Sequence, residues 1–353
     1  MSETASSQQP AASTLAAPDS PDDAALVRRT RLAVAALALC CVCWGFSFPG
    51  MKIAMAAFER HLPRNALSAA AGNSLAGEVA ANATFIGWRF AVAAVLYWLV
   101  TRSHQRRYSK ADVHGGILVG LTFASGIVVQ IGGLRYTLPS VSGFLTALVV
   151  VFAPLAQAFL LRRRVGTLTW LAIGVAILGI VILSLPKPGA IQELPPAPSV
   201  IPVVGEALTV FGAVLFTVQI LAVDHYGQQA HPARLTLIMF ATTAILATLL
   251  GAILDGATIY NSRFVTAVLS DHTFQWSSAV IVVLSSVVAL HLMNVYQPFI
   301  APAKACVVYC LEPVFALLFS ILFRTENLTF LTTLGGAVII AAVLLIARVK
   351  TAA

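Results

Sequence analysis

Charge is the scarcest thing in this sequence. Of 353 residues only 10% are Asp, Glu, Lys or Arg, against about 25% in an average soluble domain, so a water-facing surface cannot be built from it. No Asp lies inside its long apolar runs, which removes the paired aspartates that magnesium-dependent prenyl chemistry or an aspartic protease would need. No GxxxxGK[ST] phosphate loop is present, which argues against an ATP-driven pump. Cys and His pairs at metal-ligand spacing are also missing, and no cofactor motif is found. The five cysteines, Cys40, Cys41, Cys43, Cys306 and Cys310, fall within apolar runs where they act as small apolar side chains, so neither a disulfide framework nor a zinc site is expected. The net charge of +8 comes from short loops with no soluble basic domain, which sets nucleic acid aside as a partner.

What is there is length of apolar chain. The residues are 59% hydrophobic, with a mean hydropathy of +0.88. At about 20 residues per bilayer crossing, the pattern predicts an all-α integral membrane protein of ten transmembrane helices, at 32–56, 82–101, 113–133, 139–161, 165–185, 201–223, 234–254, 276–297, 302–323 and 327–347. Residues 1–30 are expected to be a disordered cytoplasmic tail. Its first 27 residues, rich in Ala, Ser, Pro, Gln and Asp, cannot bury enough apolar surface to fold. The "RRTR" at 28–31 precedes an apolar run too long for a signal peptide.

Positive loops stay cytoplasmic. Of the 22 Lys and Arg, Arg60, Arg64, Arg135, Lys187, Arg263 and Arg324 fall in loops on one side, Lys52 and Arg89 fall within spans, and the remaining fourteen, Lys304 among them, fall on the other. Both termini are therefore expected in the cytoplasm, in a multi-pass protein of the cell's inner membrane. The chain also resembles itself: "VFAPLAQAFLLRRRVGTLTWLAIGVAILGIVIL" at 151–183 lines up with "CLEPVFALLFSILFRTENLTFLTTLGGAVIIAAVLLI" at 310–346, matching Pro154 to Pro313 and Gly174 to Gly335. Five helices per copy means that the copies insert in opposite directions, the architecture of secondary transporters. The copies are expected at 31–186 and 201–348, joined by a Pro/Gly-rich linker at 187–200.

These pieces resemble the EamA-type branch of the drug/metabolite transporter superfamily: "CWGFSFPGMKIAM", "WRFAVAAVL", "SGFLTALVVVFAPL", "LEPVFALLF" and "RTENLTFLTTLGGAVIIAAVLLI", spread over most of residues 31–348. The resemblance implies ten helices in two inverted five-helix repeats and movement of small metabolites such as amino acids or amines without ATP, export being the expected direction. It leaves substrate, coupling ion and oligomeric state open. Two departures stand out. Gly166 occupies the place of Glu326, and the polar stretch at 57–80 either covers the outer entrance or, more plainly, is an inert loop.

Two acids, Glu206 and Glu312, fall within the predicted spans. Glu312 is roughly 15 Å deep at 1.5 Å per residue, where a charge costs at least about 2.5 kcal/mol on insertion scales, so it is expected to face the interior. Pro313 cannot donate to the carbonyl of Tyr309 and breaks the helix beside it. Glu312 either exchanges a coupling proton or pairs with a basic group or a broken turn and holds the fold. Arg89 is read on the outer side of the second helix, either attracting an anionic substrate group or, more plainly, pairing with Glu206, which could otherwise simply reach the interface. Trp44 and Ser47 suit a pocket wall with one hydrogen bond. His291 and Asn294, one turn apart, together with Gln130, Thr146, Gln219 and Tyr309, complete the polar candidates for a cavity lining, and a lone membrane histidine is more often a hydrogen-bonded structural group than a relay. Pro154 and Pro313 are the expected kinks. An enzyme is the alternative class, for which Ser47 and His291 would be the only dyad. A pore is a further alternative, although no ring of charge appears.

Overall fold

The computed structural model describes residues 21–61, 75–134, 145–185, 202–255, 262–322 and 328–347. Within them the fold is all helical, with no strand. The helices are α1 (Pro21–Glu59), α2 (Leu75–Thr101), α3 (Lys110–Leu134), α4 (Val149–Phe159), α5 (Thr167–Ser184), α6 (Pro202–Gly227), α7 (Pro232–Asp255), α8 (Ser262–Ser270), α9 (His272–Val280), α10 (Ala289–Tyr296), α11 (Pro302–Tyr309), α12 (Leu311–Leu322) and α13 (Phe330–Ala347). A π-helical segment, Ile281–Val288, joins α9 to α10.

Among the described residues eight segments are long and apolar enough to cross a membrane: Ala25–Ser47, Val79–His104, Lys110–Gln130, Val204–Gly227, Pro232–Leu254, His272–Phe299, Pro302–Phe319 and Phe330–Ala347. Two shorter apolar helices, Val149–Phe159 and Thr167–Ile182, lie where the fourth and fifth spans were expected. Large apolar side chains on the long helices face outward, Val100, Ile253 and Phe330 each more than three-quarters exposed (79%, 78% and 78%), as suits helices surrounded by lipid.

Several expected boundaries move. α1 is already helical at Pro21, the first described residue, inside the expected tail, where a proline followed by Asp22, Asp23 and a run of helix formers suits a first helical turn. α2 begins at Leu75 rather than 82, since "LAGEVAAN" is rich in residues that favour a helix. Helix α8 was not expected at all. The remainder of the predicted tail, most of the 57–80 stretch and the 187–200 linker lie outside the described residues.

Packing is set by small residues, as it must be where lipid is as apolar as the side chains and only close approach gains dispersion energy. α2 lies against α7, α3 against α6 and α7, α5 against α13, and α1 against α12 and the π segment. The α2–α7 crossing is reciprocal: a Cβ on Gly87 would overlap Thr248 Oγ1, and one on Gly251 would overlap Thr84 Oγ1. Thr84-x-x-Gly87 and Thr248-x-x-Gly251 thus interlock antiparallel. The main core runs through Leu37, Phe90, Phe240, Leu290 and Ile339. A second cluster closes one end of the bundle, where Phe58, Phe85, Phe264 and Phe274 surround one another, with Phe58 edge-on to Phe264 at 5.2 Å. The amphipathic α8 contributes Phe264 and Val268 to the buried side and leaves Arg263 outside.

Polar clasps hold the loops at both ends. At the end bearing most of the basic residues, Ser109 and Asp112 cap α3 reciprocally (2.7 and 3.0 Å), and Asp112 also accepts from the His231 backbone N–H at 2.7 Å and faces Arg234 at 3.4 Å. Arg163 pairs with Asp224 at 2.6 Å. At the opposite end Asp271 caps α9 through the N–H groups of Thr273 and Phe274 and meets His61 at 3.0 Å and Arg60 at 3.4 Å.

Two predictions follow from this packing. Gly87→Val forces a side chain into Thr248 and lowers the thermal midpoint of the detergent-purified protein, by about 1–3 kcal/mol of overpacking. Gly174→Ala, where nothing lies within 4 Å of the added Cβ, leaves the midpoint unchanged or raises it; equal losses in both would refute the close-approach account. Asp271 is held below the ordinary carboxylate range, first by the hydrogen bond with His61 and then by the Phe274 N–H and Arg60. A depressed carboxylate stabilises the fold fully above its unfolded pKa, and that contribution is lost as pH falls through the folded value. Asp271→Asn therefore flattens the acid limb of a midpoint-against-pH profile taken from about pH 7 to about pH 3, around the ordinary Asp value of about 3.9.

Candidate functional site

Arg89 sits ten residues into the Val79–His104 span, about 15 Å along the helix, well inside the apolar stretch. Its side chain is 7% exposed. The expected ion pair with Glu206 does not form: Glu206 is exposed on α6, because it lies in the first turns of that helix where it reaches outward. Arg89 instead donates from Nε to Ser286 Oγ and from Nη2 to Ser285 Oγ, both at 2.8 Å, and from Nη1 to Met51 Sδ at 3.4 Å. Among the described residues no carboxylate lies within ion-pair distance of it.

The two serines belong to the π-helical segment, where Ala289 N–H bonds to Leu284 O and Ser286 O. Ser285 O accepts from Trp44 Nε1 at 3.2 Å. Cys40 Sγ donates to Ala289 O at 3.2 Å. π turns are rare, and they concentrate at functional sites. Trp44 thereby joins α1 to the Arg89 cluster, and Ser47 donates to Trp44 O at 2.7 Å, so the buried Ser47 hydroxyl supports the Trp44 turn rather than facing a pocket.

The other face of Trp44 meets Tyr309, ring centroids 5.6 Å apart. Tyr309 ends α11, and the chain makes one turn at Cys310 before α12 starts at Leu311. Pro313 explains the interruption. In the first turn of a new helix its missing N–H has no intrahelical acceptor to disappoint, whereas in a continuous helix it would orphan Tyr309 O. Cys41 Sγ lies 3.5 Å from Val308 O and 4.0 Å from Tyr309 O, as a weak donor to the broken turn. Glu312 occupies the first turn of α12, where the helix dipole favours an anion. It is partly exposed, and no hydrogen bond or ion pair to it exists among the described residues. Of the two structural alternatives raised from sequence, a basic partner for Glu312 is not realised, while its place in the first turn after the break is compatible with the other; Cys41, Tyr309 and Cys310 are its electrostatic neighbours.

The remaining candidates form separate contacts. Gln130 donates to Thr146 Oγ1 at 2.8 Å. His291 Nδ1 and Tyr97 OH are 2.7 Å apart, giving the histidine the hydrogen-bonded place expected of it. Asn294 donates to Thr236 Oγ1 at 3.0 Å and is 1% exposed, so it serves the α7–α10 contact. Gln219 is buried on α6. Pro154 lies inside α4, which continues through it. Ser47 and His291 have different partners and make no dyad.

Several polar residues escaped the sequence reading: Ser285, Ser286 and Met51 around Arg89; Gln297, which accepts from Tyr309 OH at 2.8 Å and donates to Ile220 O at 2.8 Å; and Gln157, which accepts from the Ala303 N–H at 3.2 Å at the start of α11. The consecutive serines inside "IVVLSSVV" were the available signal. Lys304, counted with a loop, is buried in the first turn of α11, because Pro302 starts a helix there. Among the described residues no group of His, Cys, Asp or Glu could hold a metal ion.

Comparison with known proteins fits this arrangement. An uncharacterized transporter from Archaeoglobus fulgidus is 25% identical over 316 residues, covering 88% of this chain and 84% of its own length. A solved structure described only as the crystal structure of a protein superposes with a TM-score of 0.59 at 15% identity, covering 85% of this chain and 95% of the other, and so shares the fold. The profile of the EamA-like transporter family matches residues 66–185 and 203–348. Those two stretches make up well over half of the sequence, and the chain belongs to the EamA-like transporter family of the drug/metabolite transporter superfamily.

Proposed function

We propose that this membrane transporter is a secondary carrier, which moves a small, partly apolar metabolite by alternating access of two inverted five-helix halves and uses Glu312 to exchange the coupling proton. The observation that carries the reading is Glu312 itself: an intramembrane carboxylate, partly accessible, at a broken helix, with no cationic partner among the described residues. An acid placed so is costly unless water or a ligand reaches it, and irregular backbone at that depth is tolerated where it lines a cavity or is buried in protein.

The packing supports the inverted halves. Counting each interrupted segment as one span, α2 lies against α7 and α5 against α13, the pairings a two-fold axis in the membrane plane makes with itself. α3 against α6 is matched by the π segment against α1, and α4 against α6 by α11 and α12 against α1. The reciprocal Thr-x-x-Gly crossing sits where such an axis would pass. Rocking about it would expose the site to either side in turn. The basic loops place both termini in the cytoplasm on this reading.

In proteoliposomes carrying an imposed pH gradient, a panel of radiolabelled amino acids and amines identifies a substrate by saturable uptake and counterflow. Glu312→Gln abolishes gradient-driven accumulation of that substrate and retains counterflow, because the amide mimics a carboxyl that cannot give up its proton. Retained accumulation would remove Glu312 from coupling; unsaturable flux without counterflow would replace the carrier by a pore.

A further inference from the structure

We propose that Arg89 and the serines that hold it form an anchor for a carboxylate, and that the transported metabolite carries one. The inference rests on the carrier reading and names the substrate class for the same protein interior. A guanidinium has five N–H donors. At Arg89 three are engaged, by Ser286, Ser285 and the soft acceptor Met51 Sδ, which leaves one N–H on each terminal nitrogen with no acceptor among the described residues. One remaining N–H on each terminal nitrogen is what a carboxylate bridging the end of the guanidinium fork requires.

Charge points the same way. Arg89 is buried within its span, and its partners are all neutral: two hydroxyls, a thioether and the ring of Phe90, whose centroid lies 5.3 Å from the guanidinium carbon. A fold-holding role would be served by a neutral donor at far smaller cost, since centring an arginine in a bilayer is unfavourable on every scale. One buried positive charge is balanced by one negative charge, which matches a monocarboxylate and not a phosphate dianion. The serines sit on the π segment, and Trp44 holds the carbonyl of Ser285. Trp44 and Met51 from α1 provide apolar surface beside the guanidinium, and a substrate with an apolar body on its carboxylate suits them. Trp44 meets the ring of Tyr309, three residues before Glu312, and the carbonyl of Ser285, whose hydroxyl holds Arg89; no ion pair joins Arg89 to Glu312 among the described residues, so the proton and the carboxylate have separate places.

The test is ligand binding to the purified full-length protein, read as the shift of its thermal midpoint with ligand concentration. The probes are 4-methylpentanoate and 3-phenylpropanoate, their primary amides, the amines of matching length, and inorganic phosphate. The carboxylates stabilise the wild type saturably, whereas amides, amines and phosphate do not. Arg89→Gln weakens the carboxylate effect by about tenfold or more, the usual scale for losing hydrogen bonds to a charged group, and Arg89→Lys, which keeps the charge but not the fork, falls between. The acid-against-amide comparison in the wild type stands even where Arg89→Gln does not fold. Stabilisation by amines or amides equal to that by the acids overturns the assignment and leaves the carrier reading to stand on gradient-driven uptake. No saturable effect of either carboxylate, or an unchanged effect in Arg89→Gln, overturns it as well. Failure of transport with carboxylate binding intact would count against the carrier reading alone.

Discussion

In hydrocarbon there is no water to complete a broken backbone, so each carbonyl that leaves the regular helical ladder needs a donor from within the protein. Among the described residues this chain departs from the ladder well inside its spans at the π segment Ile281–Val288 and at the turn at Cys310, apart from the 3-10 turns Arg102–His104 and Gln297–Phe299 at span ends. Donors for both come from one short stretch of α1. Cys40 serves Ala289 O, Trp44 serves Ser285 O, and Cys41 serves the carbonyls before Cys310. Residues 40, 41 and 44 share a face of α1, since positions three and four apart stack on a helix. The thiols are therefore more than small apolar fillers: a weak S–H donor is worth having where the alternative is none.

The two irregular segments are also where the chain keeps two intramembrane charges. Ser285 and Ser286 on the π segment hold Arg89, and the helix that restarts after Cys310 begins with Glu312. An unwound or overwound turn supplies polar groups that a regular helix keeps to itself, and it gives a charged side chain something to lean on at a depth where lipid offers nothing. The α1 strip ties the two together, and a movement of α1 against either segment would disturb both charges. Close-packed crossings at Gly87–Thr248 and Gly251–Thr84 leave the α2–α7 pair little room to slide, so α1 and the interrupted helices are the elements freer to rearrange.

Which parts of this were legible in the sequence follows from how local each cause is. The break before Pro313 was readable because a missing N–H acts on the carbonyl four residues back. The membrane class was readable from composition alone. The partners of Arg89 were not, because Ser286 is 197 residues away in sequence and two serines in an apolar run look like ordinary packing residues. Glu206 was chosen for Arg89 by depth, and depth says nothing about which face of α6 it occupies. The helical turns ahead of the expected starts of α1 and α2 were missed because polar and small residues were read as loop, although Pro21, Asp22 and Asp23 suit a first helical turn. Lys304 falls within the expected span at 302–323 yet was counted with the neighbouring basic loop, because a charge in the first turn of a helix carries no local sign of which way it faces.

The separation of the two charges has a mechanistic consequence within the proposed function. If Arg89 and Glu312 touched, they would neutralise each other and neither would need a ligand. As no ion pair joins them among the described residues, each is left to find a partner of its own, a carboxylate for one and a proton for the other. Binding both compensates each separated charge where it sits, whereas binding one alone leaves the interior with a net charge, which is costlier to carry through the closed state between the two openings. On that argument the occupied carrier crosses more readily than the half-loaded one, which is the condition for coupling a solute to a proton in a single rocking cycle.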